Sequence, residues 1–187
     1  MKKRYSIFPM GNEGKIKAAS ASKKIVLSCR LDTPFLGNLH GRDHIMRFDT
    51  VKDGEDTFLK VNMAQWRWAV REALDSMGIL ADTNVDYIRM PIKLKAPTIR
   101  YYSLRGSSKE GGRNSVHESF QAGTVLTVPL FLLSALEGSD GMAGLFNQRP
   151  PTEEEAVECF KTIGECIGLS PWGSKSGFGR FSLETGK

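Results

Sequence analysis

Apolar residues fall at every second position over 24–31, KIVLSCRL, where Ile25, Leu27, Cys29 and Leu31 share one face. That alternation predicts a strand. Over 62–77 the period becomes helical: Met63, Trp66, Val70, Ala73, Leu74 and Met77 form a stripe, with Asn62 as the cap and Gly78 at the expected left-handed stop. Trp68 falls off that stripe and is expected to pack on a neighbouring element. Residues 124–133, TVLTVPLFLL, are strongly strand-forming. Pro129 cannot donate to a ladder, which predicts a bulge or a strand end there. A second helix is marked by the Thr152–Glu155 capping box and by Ala156, Cys159, Phe160, Ile163, Cys166 and Ile167 on its buried face, with Gly168 ending it. Segments 85–92 and 97–104 read as extended, interrupted at Pro91 and Pro97, and a final strand is expected at 177–183 with Phe181 inward.

The segments between these elements are polar. Residues 32–61 mix Gly, Asp and His with short apolar pieces and predict a long loop, a feature that is often functional. The segment RGSSKEGGRNSVHES, basic and rich in Gly and Ser, reads as a mobile insertion before the next strand. Residues 1–23 carry no period and are expected to form a basic flexible arm, with a single domain over 24–187. Strand, helix, strand or hairpin, strand, helix, strand is the α+β, ferredoxin-like βαββαβ plan, which RNA-recognition domains also use. A glycine-rich loop precedes its last strand.

The chain has 187 residues, of which 40% are hydrophobic and 25% charged, the make-up of one folded domain. No apolar run approaches the roughly 18 residues of a membrane span, and no signal-peptide core follows the basic start. The 3 cysteines are widely spaced and fit a reduced, cytoplasmic protein. Charge narrows the partners. The net charge of +5 is segregated: Lys2, Lys3, Arg4, Lys15, Lys17, Lys23, Lys24 and Arg30 face only Glu13 within residues 1–30. Lys93, Lys95, Arg100, Arg105, Lys109 and Arg113 face only Glu110 within 91–113. Such patches favour a polyanion, nucleic acid above all.

In GLSPWGSKSGFGRF, residues 168–181, Gly173, Gly177 and Gly179 allow phosphates to approach the backbone, Lys175 and Arg180 supply countercharge, and Trp172 and Phe178 offer stacking faces. The segment is neither a Walker loop, since Ser174 separates Gly173 from Lys175, nor the aromatic RNA-recognition signature. His40 and His44 are four apart around Asp43, without the ligand count of a metal site. A histidine remains a candidate acid or base for RNA cleavage. Cys159 and Cys166 are expected to be buried core. No metal or other cofactor is expected.

Three stretches, FLKVNMAQWRWAVREAL (58–74), HESFQAGTVLTVPLFL (117–132) and IGLSPWGSKSGFGRF (167–181), give the chain a layout that resembles the RAMP superfamily of CRISPR-associated proteins. Val61-Asn62-Met63 replaces that family's usual Pro-Gly-Ser lead into the helix. The subunit that forms the guide-RNA backbone is the most similar member. The resemblance implies a basic palm, a thumb at about 100–117 and a glycine loop, all on RNA phosphates, within an antiviral ribonucleoprotein. The implied RNA-binding residues are Lys23, Lys24, Arg30, Arg100, Arg105, Lys109, Arg113, Trp172, Gly173, Lys175, Gly177, Gly179 and Arg180. It also places Asp49, with Asp43 as an equal competitor, where some such subunits carry a target-cutting aspartate, and His40 and His44 where a guide-processing endoribonuclease has its histidine. The expected partners are single-stranded RNA and other subunits, or further copies along the RNA, with no membrane. A ribonuclease and a protein scaffold without nucleic acid are the alternatives.

Overall fold

The computed structural model describes residues 22–41, 43–79, 87–91, 93–105, 114–133, 150–169 and 176–184. The fold is mixed α+β, with three sheets and two helices among the described residues. The strands are β1 (Ser22–Leu31), β2 (Phe35–Leu36), β3 (Leu39–His40), β4 (Ile45–Arg47), β5 (Thr50–Asp53), β6 (Asp56–Lys60), β7 (Ile88–Arg89), β8 (Lys93–Lys95), β9 (Arg100–Leu104), β10 (Ser115–Phe120), β11 (Val125–Leu133) and β12 (Phe181–Leu183). The helices are α1 (Met63–Ser76) and α2 (Glu153–Thr162), the latter continued by a π-turn over Ile163–Ile167. No helix among the described residues is long and apolar enough to cross a membrane.

The central sheet has the order β12-β1-β11-β7 with every neighbouring pair antiparallel. Alternation on β1 sends Ile25, Leu27, Cys29 and Leu31 to the side where Leu126, Val128, Leu130 and Leu132 of β11 also lie. Both helices close over that side through Trp66, Val70, Ala73, Leu74, Cys159, Phe160 and Ile163. Phe160 ties the layers together, lying 6.1 Å from Trp66 and 4.8 Å from Phe181 between ring centroids. The opposite face, with Lys24, Val26, Ser28 and Arg30, is uncovered among the described residues, and Val26 is 56% exposed.

Both helix starts are capped as their sequences require. Asn62 accepts the Gln65 amide at 3.2 Å, and Thr152 and Glu155 form a reciprocal box. Trp68 does not find a neighbouring element to cover it and stays 42% exposed on α1. Cys159 is buried as expected, but Cys166 is exposed. The π-turn inserts extra backbone into the spiral, so the seven-residue spacing no longer returns Cys166 to the apolar face.

Two other expectations fail. Residues 32–61 do not form a loop without structure but five short strands, β2 to β6, whose two- to five-residue lengths are too brief for alternation to register. Pro129 causes neither a bulge nor a strand end: the β1–β11 register runs unbroken through Val26↔Pro129. On the other side of β11, β7 pairs only with Phe131 and Leu132. A proline remains in a ladder where its missing N–H faces no partner strand.

A second sheet runs β2-β10-β4-β3 with β9 also on β10, and a third runs β5-β6-β8. The 85–92 extended segment reduces to the two residues of β7, while the 97–104 segment becomes β9. The stems of the expected insertion are thus the paired strands β9 and β10, and residues 106–113 lie outside the described residues.

Candidate nucleic-acid interface

The final glycine turn is fixed by hydrogen bonds from several directions. Gly177 and Gly179 adopt φ of 72° and 73°, backbone geometry that favours glycine. Thr33 donates its hydroxyl to the Gly177 carbonyl at 2.7 Å and accepts the Arg180 amide at 2.9 Å. The Gly179 N–H is engaged with the Pro34 carbonyl at 2.8 Å. The Arg180 guanidinium donates to the Glu165 carbonyl at the π-turn. Trp172, Gly173 and Lys175 lie outside the described residues.

One ring contact places this turn. Phe178 meets Tyr102 edge-on at 5.7 Å, which brings the turn against β9. Arg100 shares a strand face with Tyr102, two residues away. Arg100 and Arg105 are exposed, and neither has an ion pair among the described residues. Between them Tyr101 is 61% exposed. Sequence reasoning passed over Tyr101 and Tyr102, although aromatics interleaved with cations in RYYSLR are a recognised signal for stacking surfaces. Lys109 and Arg113, expected on the same insertion, lie outside the described residues.

The cations of β1 differ in kind, with Lys23 on the helix side and Lys24 and Arg30 on the open face. Lys23 pairs with Glu153 at the start of α2. Arg30 pairs with Glu184 at 2.7 Å, and bonds from Arg30 and Ser28 hold the Glu184 carboxyl below its ordinary pKa. Lys24 is exposed and without an ion pair among the described residues. Neither Thr33 nor Glu184 carried any sequence signal, since each acts through a partner about 150 residues away in the chain, such as Arg30 for Glu184.

The nuclease candidates are spread over separate elements. His40 is exposed on β3 opposite Met46, and His44 is exposed in the following turn with φ of 63°. Asp49 is exposed and pairs with Lys60 at 2.9 Å. The third histidine, His117, is 2% exposed, with Nδ1 2.8 Å from the Gly37 carbonyl and Nε2 2.9 Å from the Ser115 hydroxyl. Beside it, Glu118 accepts from Arg47 at 3.0 Å and from the Phe48 amide at 2.9 Å, which locks β4 to β10. No group of three or more potential metal ligands occurs among the described residues.

No protein-family model matches the chain, and no curated protein sequence does. Among solved structures, it is similar to a chain of the type III-B Cmr-beta complex bound to cognate target RNA, determined by cryo-electron microscopy. The TM-score is 0.50 and the identity 9%, over 88% of this chain and 59% of that one. A chain of a CRISPR RNA-guided surveillance complex aligns with a TM-score of 0.43 and 15% identity, over 87% of this chain and 67% of that one. The first likeness is one of fold, and this chain spans about three-fifths of that neighbour's length.

Proposed function

We propose that the chain is an RNA-binding subunit of a CRISPR-type ribonucleoprotein, holding a single strand mainly through its phosphates. The observation that carries this reading is the Phe178–Tyr102 contact, which sets a glycine turn beside β9, a strand with an exposed tyrosine, with Arg100 at its start and Arg105 just past its end, neither in an ion pair among the described residues. The arginines neutralise phosphates and the tyrosine stacks a base, while the Gly179 and Arg180 N–H groups, already bonded to Pro34 and Thr33, make the turn a shaped wall beside the strand. The order β12-β1-β11-β7, with a helix in each crossover, supports a ferredoxin-like unit in the RAMP manner. The shared fold with a chain of an RNA-bound Cmr-beta complex supports the same assignment. In this reading residues 24–187 form one domain, with 1–23 as an arm and the β9–β10 insertion as a thumb over the strand.

Of the RNA-binding candidates among the described residues, Lys24, Arg100 and Arg105 have no ion pair there and are the ones to test. On single strands each phosphate neutralised contributes about 0.7 to the slope of log affinity against log salt. Replacing all three by alanine should therefore flatten the slope by about 2 and leave the melting temperature unchanged. Fluorescence anisotropy of a labelled single-stranded RNA between 50 and 200 mM salt, on roughly that range, measures it. An unchanged slope removes these residues from the interface, and no binding at low salt removes the RNA reading in favour of a protein scaffold.

A further inference from the structure

Beneath β2 and the start of α1 lies a half-open cavity of about 210 Å³. Its walls include the buried Phe48, Leu59, Trp66 and Ala69. Its mouth carries Asn38 and Asn62, with the Asp49–Lys60 pair beside them. A cavity of about 150 Å³ lined by aliphatic and aromatic side chains holds a benzene ring. This one has room for a heteroaromatic ring with its exocyclic groups.

The polar atoms refine the choice. The Asn38 amide makes no hydrogen bond among the described residues. Asn62 uses only its oxygen, on the Gln65 amide, and Gln65 uses only its nitrogen, on the Leu169 carbonyl at 3.0 Å. Unused amide donors and acceptors therefore line a space whose inner walls are apolar and whose lining also includes the Asp49–Lys60 pair. A purely aliphatic occupant would leave them unpaired at a cost, whereas a nucleobase edge offers both donors and acceptors. Single-stranded RNA is commonly read through bases turned out of the stack in this way.

We propose that this cavity takes one unstacked nucleobase of the bound strand. The proposal rests on the RNA-binding reading and adds a base-dependent contact to it. The test compares a labelled oligoadenylate with an abasic ribose-phosphate strand of the same length, at one salt concentration. The protein should bind the adenylate roughly tenfold more tightly, the effect of one well-seated base. Ala69→Leu, which fills the cavity from α1, should lower adenylate affinity roughly tenfold, by the share of one seated base, and leave abasic binding and the salt slope unchanged. If circular dichroism shows that Ala69→Leu is unfolded, Asn38→Ala at the exposed mouth should still cut the adenylate preference several-fold. Equal affinity for the two strands overturns the proposal while sparing phosphate binding. An adenylate preference left undiminished by both substitutions also overturns it and assigns the whole base contact to surface stacking. Failure to bind either strand at low salt overturns the RNA reading, and this proposal with it.

Discussion

Gly164 is a position where a single methyl group should disturb β12 and the glycine turn that precedes it. It lies in the π-turn, fully buried, under the first residue of β12. A Cβ there would stand 2.7 Å from two carbons of the Phe181 ring and nearer still to the Phe181 carbonyl oxygen. The ring cannot swing aside, because Phe181 is itself 0% exposed and packed on Phe160. The carbonyl cannot move without drawing β12 away from β1, to which it is paired through Leu31. Overpacking of a core typically costs 1–3 kcal/mol, and a backbone obstacle puts Gly164→Ala at the upper end, about 3 kcal/mol. Gly123→Ala is the control. Nothing lies within 4 Å of its Cβ, but its φ of +84° confers only conformational strain, about 1–2 kcal/mol. Urea unfolding followed by circular dichroism gives both values from midpoint and slope. A cost for Gly164→Ala smaller than for Gly123→Ala would refute the close packing of the π-turn on β12. RNA affinity of the folded fraction should fall as well, since β12 carries the glycine turn.

Two further predictions concern the same region. Cys29 and Cys159 are buried, and burial pushes both thiols up to about 12, while Cys166 is exposed. A thiol reagent at pH about 8 should therefore modify Cys166 rapidly and the other two only on unfolding, because the thiolate is the reactive form; labelling followed by mass spectrometry reads this, and rapid modification of Cys159 would contradict the core packing. Arg180→Ala removes the donor to the Glu165 carbonyl and should cost about 1 kcal/mol of stability, seen as a lower urea midpoint, whereas Arg105→Ala should leave the midpoint unchanged.

The long elements were legible because each repeats its period enough times to be seen. The α1 stripe from Met63 to Met77, the Thr152–Glu155 box and the alternation of β1 all specify burial locally. The second and third sheets were not legible. β2, β3 and β4 are two or three residues long and are held by partners elsewhere in the chain, such as Phe35 opposite Phe120 and Ile45 opposite Val116. Cys166 was misplaced for a related reason, since one π-turn shifts the phase of a helix without any mark in composition. Pro129 shows the opposite error: a local rule about donors was applied where the neighbouring strand stops short.

Charge was legible as a total but not as a distribution of work. Lys23, Arg30 and Arg180 look equivalent to Lys24, Arg100 and Arg105 in the sequence, yet the first three are occupied by Glu153, Glu184 and the Glu165 carbonyl. An exposed ion pair is worth only about 0–1 kcal/mol, so a phosphate could displace Glu153 or Glu184 at small cost. Arg180 differs, because its backbone amide and its guanidinium both brace the turn that a phosphate would approach. Its positive charge contributes to the local field, while its amide and one guanidinium nitrogen are spent on shape and its buried Nε has no hydrogen-bond partner among the described residues. In the proposed function the glycine turn is a rigid ledge, and Arg100 and Arg105, without ion pairs among the described residues, are the grip beside it. That division explains why the contact between Phe178 and Tyr102 matters more to the proposed function than the number of basic residues.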